Sequence, residues 1–265
     1  MSEILSIKSL TRRFKEVVAV DTLTLSVDAG EVFGLLGRNG SGKTTLIRML
    51  TTLLAPTKGS ASVGGFDVVR EPAAVRRLIG YVPQALSADG ELTGYENLRV
   101  FSILYDIPRE RREARIRESL AFMGLTEHGD KMVKDYSGGM IRRLEIAQAM
   151  LHQPKLMFLD EPTVGLDPIA REIVWAHIDR LRADYGTTIF FTTHYMDEAQ
   201  QLCTKAAIMR KGKLIVVGTT DELKQAIGGN ATLDDVFVHY TGDSAEEENA
   251  YLETAAMRRT TRKLG

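Results

Sequence analysis

The sequence predicts an α/β fold in which helices cover a buried sheet, and three observations carry that prediction. Apolar runs at Glu31–Leu36, Lys155–Asp160 and Thr187–Thr193 read as strands buried on both faces. Helical patterns follow them, the alternation from which parallel sheets are built. Between about 86 and 153 the strand signals vanish, which marks a helical segment inserted into the core. At 265 residues, with 44% hydrophobic and 26% charged, the chain can bury enough surface for one large domain with a subdomain.

Charge and composition exclude several classes. Lys+Arg is 34 and Asp+Glu is 35, so the net charge is −1 and the basic surplus of a nucleic-acid binder is missing. No apolar run approaches the roughly 18 residues needed to cross a bilayer. The start, Met1-Ser-Glu-Ile-Leu-Ser-Ile-Lys8, is too polar for a signal peptide. A single cysteine, Cys203, permits neither an internal disulfide nor a cysteine metal cluster, and reads as a small packed side chain. A cytoplasmic chain is expected.

Residues 4–36 read as β-structure. Leu23, Leu25 and Val27 alternate with Thr24 and Ser26, the mark of a half-buried strand, and Asp28-Ala-Gly30 turns the chain into the first fully buried one. That strand runs into Gly37-Arg-Asn-Gly-Ser-Gly-Lys43-Thr44, and Thr45–Leu50 follows as a helix. The stretch fits G-x-x-x-x-G-K-[ST], a loop that cradles phosphates. Glycines at 37, 40 and 42 let successive N–H groups face one anion, and the helix N-terminus adds its dipole. Lys43 supplies a compact charge for β- and γ-phosphates, and the Thr44 hydroxyl suits Mg²⁺. Upstream, Phe14 lies near a strand end, where an aromatic ring packs or stacks on a base.

Gly59–Val69 reads as short strands about a Gly64-Gly65 turn. Pro72 starts a helix with Val75, Leu78 and Ile79 on one side, and Ile79–Val82 is again strand-like. Gln84 follows it, either a surface glutamine or a contact for Mg²⁺ or an attacking water. Within 86–153, the charged run from Arg109 alternates in sign around a stripe of Ile116, Leu120 and Met123, so its charges form a solvated face. Ser137 in Tyr136-Ser-Gly-Gly-Met140 caps a helix running from Ile141 to about Leu151. This is an ordinary cap or a second anion-binding turn.

The run ending in Asp160-Glu161 delivers two acids to the C-terminal edge of the sheet, where ligands bind. Asp160 suits Mg²⁺. Glu161, one residue on, points elsewhere and can deprotonate a water. Asp167 caps a helix from Pro168 that Tyr185-Gly186 closes. His194 ends the next strand, as a surface histidine or a partner for the γ-phosphate. A hairpin crosses Lys211-Gly212, a short helix spans Asp221–Ile227, and Asp243–Asn249 is acidic and expected to be mobile.

In this order the motifs resemble the ATP-binding subunit of ABC transporters over about residues 3–240. Phe14 sits at the A-loop position. Gly37, Asn39, Gly40, Ser41, Gly42, Lys43, Thr44 and Thr45 fall within the Walker A loop, and Gln84 is the Q-loop residue. Ser137, Gly138 and Gly139 match the signature, Asp160 and Glu161 the Walker B acid and catalytic base, Val164–Asp167 the D-loop and His194 the switch histidine. Tyr136 and Met140 depart from the usual Leu-Ser-Gly-Gly-Gln, and Val164 replaces the usual serine. Tyr-Ser-Gly-Gly-Met, Leu92–Leu98 and Thr232–Phe237 are similar to bacterial drug-resistance exporters of the daunorubicin type.

The resemblance implies a P-loop NTPase core with an N-terminal antiparallel β-subdomain and the helical insertion. The ATPase domain would span 1–220, the helical subdomain about 86–153, and a C-terminal extension 221–265 with a tail from about 241. It implies ATP and Mg²⁺ as ligands, and hydrolysis that uses Glu161, His194 and Gln84. It also implies a head-to-tail homodimer with ATP between Lys43 of one copy and Ser137 of the other. A separate membrane permease would hold this dimer on the inner face of the membrane, and no nucleic acid is expected. A soluble ABC-type machine acting on nucleic acid or the ribosome would bring a second cassette, zinc modules or coiled coils. A small-molecule kinase would leave Ser137–Gly139 and His194 without roles.

Overall fold

The computed structural model describes residues 2–228 and 230–242. The chain begins with two long strands, β1 (Glu3–Phe14) and β2 (Val17–Asp28), which pair antiparallel with Ser6 opposite Ser26 and Ile7 opposite Leu25. In β2, Leu23, Leu25 and Val27 are buried while Thr24 and Ser26 are exposed, as their alternation requires. β3 (Val32–Leu36) is buried at every residue and leads into helix α1 (Lys43–Leu50). Next come β4 (Lys58–Val63), β5 (Phe66–Asp67), helix α2 (Pro72–Leu78) and β6 (Ile79–Val82). Ile79 therefore belongs to the strand and not to the helical stripe of Val75 and Leu78, because α2 ends one residue earlier.

The inserted segment carries α3 (Gly94–Leu104), α4 (Arg109–Phe122) and α5 (Gly138–Met150), with 3₁₀ turns at Thr126–His128 and Val133–Asp135. Exposed i,i+3 and i,i+4 pairs, Arg115–Glu118 and Arg117–Glu113, line the solvent face of α4, while Ile116, Leu120 and Met123 are buried. β7 (Leu156–Asp160), α6 (Pro168–Tyr185), β8 (Thr188–Thr193), α7 (Met196–Leu202), β9 (Lys205–Arg210) and β10 (Lys213–Thr219) return the chain to the core. Lys211 and Gly212, at φ 48° and 84°, make the tight turn between β9 and β10.

Two sheets result. β2-β1-β4-β5 is antiparallel, and β10-β9-β3-β8-β7-β6 is parallel except for the β9–β10 hairpin. The sheets share one core, in which Leu5, Leu10 and Leu23 meet Phe33, Leu46 and Phe190 around α1. On the other face of the parallel sheet, Leu159 and Phe191 pack with Leu120, Leu144 and Ile178. α8 (Thr220–Gln225) and α9 (Leu233–Thr241) close a third cluster, placing Leu223, Leu233 and Val236 against Leu36 and Ile208. Thr232 and Asp235 form a reciprocal cap at the start of α9. The acidic Asp243–Asn249 stretch lies outside the described residues. Among the described residues, no helix is long and apolar enough to cross a membrane.

Candidate functional site, a phosphate loop facing two carboxylates

Parallel pairing sets the site. β3, β8 and β7 are neighbours running the same way, so the loop after Leu36, the Thr192-Thr193-His194 segment and Asp160-Glu161 emerge at one edge. A cleft of about 610 Å³ opens there. The loop from Asn39 to Thr45 lines it, with Gln84 and Glu161, and Val17, Val18, Ala19, Lys211 and Gly212 complete its wall. The Gly212 N–H donates to the Ser41 carbonyl at 2.9 Å and the Asp21 N–H to the Gly212 carbonyl at 2.8 Å, so the hairpin turn braces the loop.

The glycines answer different needs. Gly40 and Gly42 have φ of 80° and 111°, the left-handed region that side chains avoid. Gly42 begins α1 with no side-chain cap, which leaves the first N–H groups of the helix for an anion. A Cβ there would lie 2.3 Å from the Ala19 carbonyl oxygen. Gly42→Ala should therefore cost about 1–3 kcal/mol of backbone strain and displace the loop. A lower melting temperature together with weaker nucleotide binding is expected, and an unchanged loop would leave both at the parent value.

Lys43 and Glu161 are buried together, 4% and 5% exposed, with Nζ 3.2 Å from Oε1. Lys43 also donates to the carbonyls of Gly37 (2.6 Å) and Arg38 (3.2 Å). Burial lowers its pKa, and the charges of Glu161 and Asp160 oppose that shift. Burial alone would raise the Glu161 pKa, but His194 and Lys43 outweigh it and hold the carboxyl below its ordinary value. Gln84 Nε2 donates to Glu161 Oε2 at 3.2 Å, and His194 Nδ1 lies 3.2 Å from the same oxygen.

Backbone conformation separates the two acids. Glu161 has φ 49°, and its N–H donates to the carbonyl and hydroxyl of Thr192, each at 3.1 Å. Asp160, one residue earlier, ends the regular strand and accepts from Thr192 Oγ1 at 2.6 Å and Thr44 Oγ1 at 3.2 Å. Its Oδ2 is buried without a partner among the described residues. Burial raises the Asp160 pKa. A partnerless carboxylate oxygen beside a threonine hydroxyl is an oxygen donor set that fits a hard divalent cation.

Other expected residues stand apart from the cleft. Phe14 ends β1, 43% exposed, with the Arg12 guanidinium 4.5 Å from its ring centre. Ser137 caps α5 by accepting from the Met140 N–H at 3.3 Å, and the helix starts at Gly138 rather than Ile141. Asp167 caps α6 by accepting from Ala170 at 2.9 Å. The two caps adjoin each other, since a Cβ on Gly138 would lie 3.5 Å from Leu166 and one on Gly139 2.9 Å from Ala170. Thr192 carried no signal as a site residue, being one threonine in a buried run. Val17–Ala19 read only as strand. Glu198 is fully buried and accepts from Thr163 (2.9 Å) and Trp175 (3.0 Å), tying the segment after Glu161 to α6. Cys203 packs against Gly34, and burial pushes its thiol pKa up.

A phosphate loop and buried lysine after one parallel strand, with an acid pair at the end of another one strand away in the same sheet, define a P-loop nucleoside triphosphatase. The chain belongs to the ABC transporter family, whose profile matches residues 20–164, and it is an ATP-binding, ATP-hydrolysing cassette of that family. It is 48% identical over 221 residues to the daunorubicin/doxorubicin resistance ATP-binding protein of Streptomyces peucetius, covering 83% of this chain and 67% of that one. The linearmycin resistance ATP-binding protein of Bacillus subtilis is 35% identical over 86% of this chain and 73% of its own. Among solved structures, an ATP-binding subunit of an ABC transporter superposes with a TM-score of 0.81 at 30% identity, over 90% of this chain and 99% of the other.

Proposed function

We propose that this cassette powers a drug-type exporter, working as a head-to-tail homodimer on a separate integral-membrane permease at the inner face of the membrane. The observation that carries the reading is the convergence of Lys43, Gln84 and His194 on the one carboxylate of Glu161. The resistance proteins among its relatives supply the transport class. Residues 1–220 form the ATPase domain in this reading, and 221–265 the C-terminal extension.

Phosphate oxygens of ATP compete with Glu161 for the Lys43 ammonium, which leaves the carboxylate to take a proton from water. Gln84 and His194 hold that carboxylate in place. Asp160, Thr44 and Gln84 would hold Mg²⁺, which supplies charge neutralisation at the phosphates when bound. Val17–Ala19, which line the cleft, face the base side of the nucleotide, and the exposed Phe14 ring at the end of β1 is the aromatic that would stack on the base. Ser137, Gly138 and Gly139 reach the ATP of the other subunit, beside the Asp167 loop.

Ser137→Arg blocks the signature by bulk and leaves the protein's own loop intact, and Lys43→Ala does the converse. Mixed, they form heterodimers with one composite site of two good halves. ATPase activity that neither variant shows alone is the expected result. Co-elution of differently tagged subunits establishes that heterodimers form. Confirmed heterodimers that stay inactive, while Ser137→Arg alone hydrolyses normally, would defeat the head-to-tail arrangement. A polytopic membrane protein should co-purify with this chain from detergent-solubilised cells; RNA in its place would favour a ribosome-type ATPase.

A further inference from the structure

Helix α5 buries two charged side chains that do not reach the cleft. Arg142 and Glu145 are 2% and 1% exposed and lie 2.9 Å apart. Burying such a pair gains little stability over apolar residues of the same volume, so its worth lies in what it holds. The two hold one segment from both ends. Arg142 forks onto the carbonyls of Pro83 (2.7 Å) and Gln84 (2.9 Å). Glu145 accepts from the Ser87 N–H, the Ser87 hydroxyl (3.1 Å) and the Ala88 N–H (3.3 Å). Gln84 lies in this segment, and its amide reaches Glu161 at 3.2 Å. The contacts run without a gap from the helix that Ser137 caps, through Arg142 and the Gln84 backbone, to the acid beside Lys43.

We propose that Arg142 and Glu145 form a latch that fixes Gln84 to helix α5, making Arg142 a positioning residue for Glu161 that acts only through Gln84. The proposal rests on the hydrolytic reading of Glu161. A planar guanidinium serves two carbonyls and a carboxylate at once. An ammonium keeps the charge and loses the fork.

Two measurements test it. Arg142→Lys should lower kcat about tenfold, the loss expected for one charge-assisted hydrogen bond, with KM for ATP within about twofold. In a Gln84→Ala background the same substitution should change kcat by less than about twofold, because the residue it acts through is gone. Equal losses in both backgrounds would overturn the proposal and leave Arg142 a packing residue. The second measurement is hydrogen exchange on nucleotide-free protein. Glu145→Gln should speed exchange of the Ser87 and Ala88 amides about tenfold or more while the β7 amides keep the parent rate. Unchanged rates at Ser87 and Ala88 would overturn the latch. Exchange is read without turnover, so it separates a failed latch from a failed assignment of Glu161.

Discussion

Lys43→Ala is expected to weaken ATP binding by about 10²-fold or more, since a cation on two phosphates contributes about 1.5–3 kcal/mol per charge-assisted bond. No neighbour can replace it. Arg48 sits on α1 beyond the first turn, and Arg38 lies earlier in the loop. The substitution also removes one partner of a buried pair, but Glu161 keeps Gln84 and lies beside His194, so the fold should persist. Titration with a fluorescent ATP analogue, alongside circular dichroism to confirm folding, measures the effect. Parent affinity in a folded Lys43→Ala protein would sink the assignment of the phosphate loop.

That loop was readable because its chemistry is local. Glycine, lysine and threonine act within eight consecutive residues, and the buried strand before them announces itself as an apolar run. The same holds for β7 and β8, and for the half-buried alternation of β2. Sequence did not reveal that β8 stands between β3 and β7, since strand order is decided by packing across the whole sheet. Thr192 was hidden for the same reason: its role comes from lying beside Asp160 on the next strand. The start of α5 was misplaced because Gly138 and Gly139 have poor helix propensity, which the Ser137 cap overrides. Arg142 and Glu145 have the i,i+3 spacing of an exposed pair. Only the chain folding over them, from Pro83 to Ala88, makes them a buried one. Asp167 and Ser137 read as caps and are caps, and their adjacency at the starts of two helices emerges only in three dimensions.

Glu161→Gln should slow hydrolysis by roughly 10²–10⁴-fold with ATP affinity retained, the range for removing a general base. The amide preserves shape but cannot accept a proton from water. Loss of the negative charge also relieves Lys43 of its competitor, so nucleotide should bind at least as tightly as in the parent. With closure no longer reversed by hydrolysis, the variant should elute as an ATP-dependent dimer in gel filtration. The pH profile gives an independent check. His194 and Lys43 hold the Glu161 carboxyl below the ordinary glutamate value of 4.5 against the effect of burial. A lowered pKa means that its contribution to stability is complete above 4.5 and is lost as pH falls through the lower folded-state value. The parent should therefore lose stability in acid through this group, and Glu161→Gln should lack that component. Steady-state ATPase assays and melting temperatures across acid pH measure both effects. Turnover at the parent rate would require another base, and Asp160 is poorly placed for it, since the Thr44 and Thr192 hydroxyls both donate to its Oδ1 and its buried Oδ2 is the oxygen suited to a cation.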